Sequence, residues 1–280
     1  MSKRTLPIKV LNLSGEIISE HQDYLAVEEP LEIQLEYGAT DDRQRKSISI
    51  TMRTPGHDIE LAKGFLFTEG IIQSFAQIKS AEIIKQWNQY REGNIVLVAL
   101  VENITIDFQK LERHFYTSSS CGVCGKASIE AISINANNEL PIDKPLFKIK
   151  KIHYLPEVLR ELQTVFETTG GLHAAALFDS NGNLKVLRED VGRHNAVDKL
   201  IGAALQMDLY PLHDFLILVS GRASFELVQK SLIAGIPILA AVGAPSSLAV
   251  QLAEESGMTL LGFVRGKRFN IYTHAQRIIF

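Results

Sequence analysis

Cysteine is scarce in this sequence of 280 residues, which contains two, both in one short stretch. A secreted scaffold held together by several disulfides needs more, so that class of protein is excluded. The chain also lacks an uninterrupted apolar run of the roughly 20 residues that a membrane-spanning helix needs. Met1 to Gly15 mixes Lys3, Arg4 and Lys9 with short apolar pieces and lacks the apolar centre of a secretion signal. We therefore expect a cytoplasmic protein with reduced thiols and no membrane partner.

A surplus of charge of either sign is also missing. The chain has 29 Lys and Arg residues against 32 Asp and Glu residues, a formal net charge of -3. Because no basic field is available to attract a polyanion, we expect no nucleic-acid partner. An anionic ligand would have to be bound by a local group of cations. The hydrophobic share of 46% suffices for a sizeable core in one large or two smaller domains.

Both cysteines lie in the segment Ser-Ser-Ser-Cys-Gly-Val-Cys-Gly-Lys at 118–126. Serine and glycine favour turns and loops, so this segment places Cys121 and Cys124 on accessible backbone. The thiolate is the reactive form of cysteine, and a positive charge such as Lys126 favours it. The segment therefore indicates sulfur chemistry at Cys121 and Cys124.

Four other interpretations of the cysteine pair are open. A structural zinc needs four ligands, so residues such as His114 or His173 would have to complete it, and no His pair has zinc-finger spacing. A thioredoxin-like pair normally follows a strand early in a βαβ unit, whereas a long segment of another pattern precedes this one. A structural disulfide is disfavoured by a reducing compartment. Two buried, inert thiols are disfavoured by the polar, glycine-rich setting.

The pattern of the chain changes near its middle. Residues 1–139 consist mainly of short alternating segments, such as 31–35, which predict strands, with one helix that Asp58 is expected to cap. Residues 140–280 alternate between strands and helices, and one helix is expected to hold Pro156 in its first turn. This predicts an α/β (α+β) fold with a smaller β-rich part over 1–139, ending in the cysteine loop. The domain over 140–280 would carry helices on a mixed, mostly parallel sheet.

Three strand-to-helix junctions in the second part contain polar residues. Their sequences are Glu-Asp-Val-Gly-Arg-His-Asn at 189–195, Ser-Gly-Arg-Ala-Ser at 220–224 and Gly-Ala-Pro-Ser-Ser at 243–247. Ligands of open α/β sheets bind where strand ends meet helix N-termini, because free N–H groups there attract anions. The pattern therefore makes Arg193, His194 and Arg222 candidate ligand-binding residues.

Each junction also has a purely structural interpretation. Ser224 and Ser246 would cap helices, and Asp190 would form a local ion pair with Arg193.

A cationic segment follows near the C-terminus, Gly-Phe-Val-Arg-Gly-Lys-Arg at 262–268. Arg265, Lys267 and Arg268 surround Gly266, and arginine binds phosphate through two parallel hydrogen bonds. A charged hairpin tip is more often only solvated. Here an apolar strand leads into the tip, which would place these cations at the edge of the sheet and favours an anion-binding function.

Five spaced motifs resemble one family. They are the cysteine segment, Thr-Gly-Gly-Leu-His-Ala-Ala-Ala at 169–176, Glu-Asp-Val-Gly-Arg-His-Asn-Ala-Val-Asp-Lys-Leu at 189–200, Ser-Gly-Arg-Ala-Ser-Phe-Glu-Leu-Val-Gln-Lys at 220–230 and Tyr-Thr-His at 272–274. In this order they resemble the FdhD family, the sulfur carriers required for formate dehydrogenase activity.

The resemblance implies a sulfurtransferase that takes sulfane sulfur from a cysteine desulfurase. It passes the sulfur to Mo-bis(molybdopterin guanine dinucleotide), the cofactor of its client formate dehydrogenase, and a guanine nucleotide can mimic that cofactor. Cys121 matches the persulfide-carrying cysteine of the family. The cofactor-binding segment of the family corresponds to Phe263, Val264, Arg265, Gly266, Lys267 and Arg268. The family is similar in fold to cytidine deaminases and typically forms homodimers.

The similarity to deaminases does not extend to their chemistry. A zinc deaminase needs His-x-Glu before Pro-Cys-x-x-Cys, whereas Ala175 follows His173 here and the cysteines come before that histidine. We therefore expect no metal site. The alternative from another class is a non-catalytic molybdenum-cofactor chaperone in which Cys121 and Cys124 are regulatory or bind zinc. The role of Cys124 is open in both cases.

Overall fold

A computed structural model describes residues 4–84, 93–102, 104, 106 and 139–280. In its N-terminal part, β1 (Thr5–Ser14) and β2 (Ile17–Ala26) pair as an antiparallel ribbon. A four-stranded sheet in the order β4-β3-β6-β5 is formed by β3 (Glu29–Tyr37), β4 (Gln44–Arg53), β5 (Ile78–Ile83) and β6 (Ile95–Leu100). Helix α1 (Asp58–Thr68) lies between β4 and β5 in the chain.

The predicted alternation in β3 is confirmed, because Leu31, Ile33 and Leu35 are fully buried. The predicted cap of α1 is wrong. His57 occupies the N-cap position, and Asp58 is the first helical residue. The Asp58 carboxylate instead binds the buried guanidinium of Arg53, with 3.0 Å between Nε and Oδ1, because a buried charge needs a partner of opposite sign.

The C-terminal part begins with β7 (Phe147–Lys148), α2 (Ile149–Leu162) and α3 (Thr164–Thr169). It continues with β8 (His173–Asp179), β9 (Leu184–Asp190), α4 (Arg193–Gln206), β10 (Phe215–Val219), α5 (Phe225–Ile233), β11 (Ile238–Ala241), α6 (Ser247–Glu255), β12 (Thr259–Arg265), β13 (Arg268–Thr273) and β14 (Ile278–Ile279). Strands β8 to β13 form one sheet in the order β13-β12-β11-β10-β8-β9, and β14 pairs with β7.

This six-stranded sheet is mixed. Strands β10, β11 and β12 are parallel, whereas β8 is antiparallel to both β9 and β10. The expected mixed sheet is confirmed: β9, β10, β11 and β12 run the same way, and the hairpin of β8 and β9 inserts β8 beside β10 in the opposite direction. The mixed α/β class itself is confirmed.

Helix α2 begins earlier in the sequence than predicted. It begins at Ile149, so Pro156 lies inside it and not in its first turn. It ends at Leu162, and the apolar residues that follow belong to α3. The stripe of buried residues Ile152, Leu155 and Leu159 has the helical spacing that fixes α2 on the sheet.

The two sheets share a hydrophobic core, with α1 and α4 between them. One buried cluster contains Leu35 of β3, Leu61 of α1, Leu200 of α4 and Ile217 of β10. A second cluster, which includes Leu155 of α2, covers the opposite face of the six-stranded sheet. None of the helices in the described part of the chain is long and apolar enough to span a membrane. The division of the chain after residue 139 stays a prediction.

Helices α1 and α4 cross at two glycines. A Cβ atom on Gly64 would lie 1.9 Å from the carbonyl oxygen of Asp198, and one on Gly202 would lie 2.0 Å from that of Glu60. These distances are far below van der Waals contact, so the crossing requires glycine at both positions. The close contact fixes α4, and with it the turn that precedes α4.

A buried ion pair holds the turn between β9 and α4. The Asp190 Oδ2 atom lies 2.6 Å from the Lys199 Nζ atom, and both side chains are fully buried. Lys199 also donates to the carbonyl oxygen of Thr54, 2.8 Å away, and Asp190 accepts from the backbone N–H of Gly192 at 2.8 Å. The predicted pair of Asp190 with Arg193 is wrong, because Lys199 reaches the same carboxylate inside the core.

We expect Asp190→Asn to lower the free energy of unfolding by about 3–5 kcal/mol, because it leaves the Lys199 charge buried without an anion. The double variant Asp190→Asn with Lys199→Met removes both charges and should recover part of the loss. Chemical denaturation measures both effects, with the exposed Asp214→Asn as the control. A single variant as stable as the unmodified protein would contradict this account of the turn.

Candidate functional site

The directions of the strands bring several chain segments to one edge of the six-stranded sheet. Strands β9, β10, β11 and β12 run the same way, so their C-terminal ends lie at this edge. Strands β8 and β13 run the opposite way and begin there, at His173 and Arg268. The edge therefore collects all three predicted strand-to-helix junctions and the cationic segment. We call it the ligand edge.

Backbone hydrogen bonds hold the loops of the ligand edge side by side beyond the strand ends. The N–H of Gly243 donates to the carbonyl oxygen of Gly221 at 2.9 Å, and the N–H of Phe263 donates to that of Gly243 at 3.0 Å. The N–H of Ala223 donates to the carbonyl oxygen of Ala244 at 3.2 Å. The loops after β10 and β11 and the C-terminal part of β12 therefore form one ordered surface.

The turn after β9 presents Arg193 and His194. Helix α4 begins at Arg193, and its N-cap Gly192 has no side chain to bind the first N–H groups. The Arg193 Nε atom is buried, and it has no hydrogen-bond acceptor among the residues that the structure describes. An unpaired buried donor is costly, so this atom is positioned for an acceptor from outside the described part of the chain.

His194 lies between the turn after β9 and the first turn of α5. Its Nε2 atom is 3.4 Å from the Ser224 hydroxyl oxygen and 3.8 Å from the Glu226 Oε2 atom. The hydrogen bond from His194 lowers the pKa of Glu226 to about 2. Ser224 occupies the N-cap of α5 but makes no capping bond, whereas Ser246 caps α6 as predicted, accepting from the N–H of Ala249.

His173 is a further residue of this edge, which the sequence suggested only as a zinc ligand. It is half-buried and begins β8, with its Cα opposite that of Asp190 in β9. Burial lowers the pKa of His173, and the charges of Arg193 and His194 lower it further. The sequence signal that could have identified His173 was its position as the polar residue directly before the apolar residues of β8.

The cationic segment forms the hairpin between β12 and β13. Phe263 has a φ of 54°, where β12 departs from its register with β13. A bulky residue seldom adopts this conformation, which costs about 1–2 kcal/mol. The Arg265 guanidinium carbon lies 5.9 Å from the centroid of the Phe263 ring. Arg265, Gly266, Lys267 and Arg268 are exposed, whereas the Val264 side chain is fully buried in the core.

The remaining predicted site residues are Arg222 and the two cysteines. Arg222 is exposed in the loop after β10, and no hydrogen bond or ion pair joins it to the described residues around it. Cys121 and Cys124, with the rest of the cysteine segment, lie outside the described residues. Their position relative to the ligand edge stays a prediction.

Other charged residues in the motifs that resemble the family form ion pairs inside the core. Lys230 of α5 lies 3.0 Å from Asp198 of α4 and 2.8 Å from Glu69 after α1, measured between Nζ and the carboxylate oxygens. Burial alone would lower the pKa of Lys230, but these two carboxylates raise it above its usual value. The pairs join three helices behind the ligand edge.

Similar proteins cover almost the whole chain. A family model described as the FdhD/NarQ family matches residues 26–279. "Sulfur carrier protein FdhD" of Mycolicibacterium paratuberculosis is 48% identical over 96% of this chain and 97% of its own length. A protein of the same name from Mycobacterium tuberculosis is 45% identical over 99% and 100%, and one from Sulfurisphaera tokodaii is 44% identical over 97% and 98%.

A solved structure shares the fold. It is the crystal structure of a "putative formate dehydrogenase accessory protein" from Desulfotalea psychrophila, which superposes with a TM-score of 0.77. The match covers 99% of this chain and 100% of that one at 24% sequence identity, so it shows the fold alone. Because the family model and relatives of 44–48% identity span nearly the whole sequence, the chain belongs to the FdhD/NarQ family.

Proposed function

We propose that this protein is a sulfur carrier. It receives sulfane sulfur from a cysteine desulfurase as a Cys121 persulfide and delivers it to Mo-bis(molybdopterin guanine dinucleotide), which is needed for formate dehydrogenase activity. The proposal is supported by relatives named sulfur carrier proteins over 96–99% of this chain. The structural observation that carries it is the ligand edge, where cations lie near the N-terminus of α4, which has no side-chain cap.

Loading of the carrier is a thiol exchange. The Cys121 thiolate attacks the terminal sulfur of the donor persulfide, a new S–S bond forms on Cys121, and the donor cysteine leaves as a thiolate. Electrons and atoms balance in this step without a further reagent. Cys124 is close in sequence, and its thiol could attack the inner sulfur, close a disulfide and release sulfide. A carrier must therefore hold the Cys124 thiol where it cannot attack the inner sulfur of the persulfide until the sulfur is delivered.

After incubation with a cysteine desulfurase and cysteine, we expect mass spectrometry to find one added sulfur atom on the Cys121 peptide. Cys121→Ala should accept no sulfur and should fail to activate formate dehydrogenase, because it lacks the attacking thiolate. Cys124→Ala is the matched control and should still be loaded. A Cys121→Ala protein with full activity would refute the role of Cys121, and stoichiometric zinc in fresh protein would favour the chaperone alternative.

The ligand edge suits the nucleotide part of the substrate cofactor, which is anionic. The exposed cations Arg265, Lys267 and Arg268 can pair with phosphate oxygens. The ring of Phe263 is half-buried and offers a flat apolar face. Arg193, His194 and Arg222 complete the proposed set, and the backbone of Val264 and Gly266 shapes the hairpin. The cofactor supplies the molybdenum that accepts the sulfur.

We expect Arg265→Ala combined with Arg268→Ala to weaken binding of guanosine diphosphate (GDP), about tenfold for each charge-assisted hydrogen bond that is lost. Isothermal titration calorimetry measures the affinity. Arg160→Ala, an exposed arginine on α2, is the control for the change in charge. Unchanged affinity in the double variant would exclude the hairpin from the binding site.

The reaction class is sulfur transfer, and the desulfurase and the formate dehydrogenase are the proposed protein partners. Sulfur transfer between cysteines needs reduced thiols, which supports a cytoplasmic location.

A homodimer is part of the proposal, and the ribbon of β1 and β2 is the surface that supports it. An isolated two-stranded ribbon is marginally stable in water, yet this one exposes large apolar side chains. Leu11, Leu13 and Ile18 share one face and are 66%, 69% and 65% exposed. Strand β1 has a single charged residue, Lys9, so two copies can meet there with little repulsion between like charges.

We expect Leu11→Ser with Leu13→Ser to convert the dimer to a monomer, because the shared apolar face is removed. Sedimentation or light scattering measures the mass. Ile142→Ser, at an exposed apolar residue outside the ribbon, is the control. A variant that remains dimeric would exclude this face, and a monomeric unmodified protein at micromolar concentration would refute the dimer.

A further inference from the structure

We propose that the client formate dehydrogenase docks on an apolar strip near the end of β4, formed by Ile50 and Met52 with Pro30 of β3. We call these three residues the docking strip. The inference rests on the proposed function, because the client is the enzyme that takes the sulfurated cofactor from this protein. It adds the place where that enzyme binds, next to the ligand edge.

A β-bulge in β4 exchanges the two faces of this strand. Ile33 and Gln34 are neighbours in β3, but their partners in β4 are Ser49 and Ser47, which leaves Ile48 as an extra residue. Because side chains alternate between the faces of a strand, one extra residue reverses the direction of every side chain after it. The residues of β4 beyond the bulge therefore point the opposite way from the one that an unbroken pairing would give them.

Beyond the bulge, polar side chains point into the protein and apolar ones point to solvent. Thr51 lies opposite the buried Leu31, and its hydroxyl donates to the Oδ1 atom of Asn195 at 3.2 Å. Ile50 and Met52 lie on the outer face and are 66% and 48% exposed. Bulges often redirect side chains beside functional sites. An apolar face turned to solvent in this way indicates a contact with another molecule.

Hydrogen bonds attach the end of β4 to the turn that carries Arg193. The Nδ2 atom of Asn195 donates to the carbonyl oxygen of Met52 at 2.8 Å. Directly after β4, the backbone N–H of Thr54 donates to the Oδ2 atom of Asp190 at 3.2 Å. The docking strip therefore borders the ligand edge beside β9, at the end of the sheet away from the hairpin of β12 and β13.

This position selects the client among the proposed partners. An enzyme that takes the cofactor has to cover the ligand edge, so its surface also reaches the residues that border this edge. The cysteine desulfurase transfers sulfur to a thiol and does not handle the molybdenum cofactor, so it has no need to dock here. The second copy of the homodimer is assigned to the ribbon of β1 and β2.

The β3 side of the docking strip carries negative charge. Glu28 is exposed just before β3, and Glu32 shares the outer face of the sheet. Glu29 shares the buried guanidinium of Arg53 with a second carboxylate, so one positive charge serves two negative ones. Arg4 turns inward, where it donates to a backbone carbonyl oxygen of β9 at 3.4 Å. The complementary surface of the client is therefore apolar at its centre and cationic along this rim.

The test measures binding of the full chain to cofactor-free formate dehydrogenase by surface plasmon resonance. We expect Ile50→Thr with Met52→Thr to weaken this binding about tenfold, because truncated apolar residues at the centre of an interface have effects of this size. Threonine is β-branched, so the strand keeps its conformational preference. Ile83→Thr is the matched control, at an exposed apolar residue on β5, the opposite edge strand of the same sheet.

Two further measurements separate docking from folding and from dimer formation. The double variant should keep the affinity for GDP in calorimetry, because the hairpin of β12 and β13 is unchanged. It should also keep the mass of the unmodified protein in sedimentation, because the ribbon is unchanged. A loss of GDP affinity would show that the two residues support the fold of the ligand edge, which refutes the docking strip.

The outcomes distinguish this inference from the proposed function. If the unmodified protein binds no formate dehydrogenase, the client of the proposed function is wrong and the docking strip falls with it. If the client binds and the double variant retains its affinity, the proposed function stands and the docking strip is refuted. A double variant that becomes monomeric, or that loses affinity for the cysteine desulfurase instead, would assign the strip to another partner and refute its role for the client.

Discussion

The shared direction of β9, β10, β11 and β12 is the constraint on which the rest of the molecule depends. It places four strand ends at one edge, and three of them continue into helices that begin at the same edge. The antiparallel strands β8 and β13 add their first residues, His173 and Arg268, to that edge. Without this common direction, the cations of three distant motifs would not meet.

The ligand edge is supported by buried polar contacts and not by apolar packing alone. Asp190 and Lys199 fix the turn after β9 to the chain beyond β4, and Lys230 joins α5 to Asp198 in α4. On the far side, the Glu60 carboxylate of α1 binds Arg188 of β9. Each charge in these contacts has a partner of opposite sign, so they specify one arrangement of the helices at a modest net cost. The positions of Arg193 and His194 follow from that arrangement.

The sequence predicted most of the elements but few of the long-range contacts. The alternation of strands and helices over residues 140–280 was predicted from the sequence, because the patterns that indicate it are local. The ion pair of Asp190 was assigned to Arg193, its neighbour in sequence, because nothing local shows that Lys199 turns inward nearly two helical turns later. The cap at Asp58 failed for the same reason, since Arg53 binds its carboxylate. His173 was missed as a site residue because its neighbours belong to two other strands and the segments after them, and only the pairing of β8 with β9 and β10 brings them together.

The most direct test of the account is a crystal structure of the protein soaked with guanosine diphosphate. We predict ligand density at the ligand edge, with the guanine against Phe263 and the phosphates beside Arg265 and Arg268. Clear density for the nucleotide elsewhere on the molecule, with this edge free of ligand, would contradict the account.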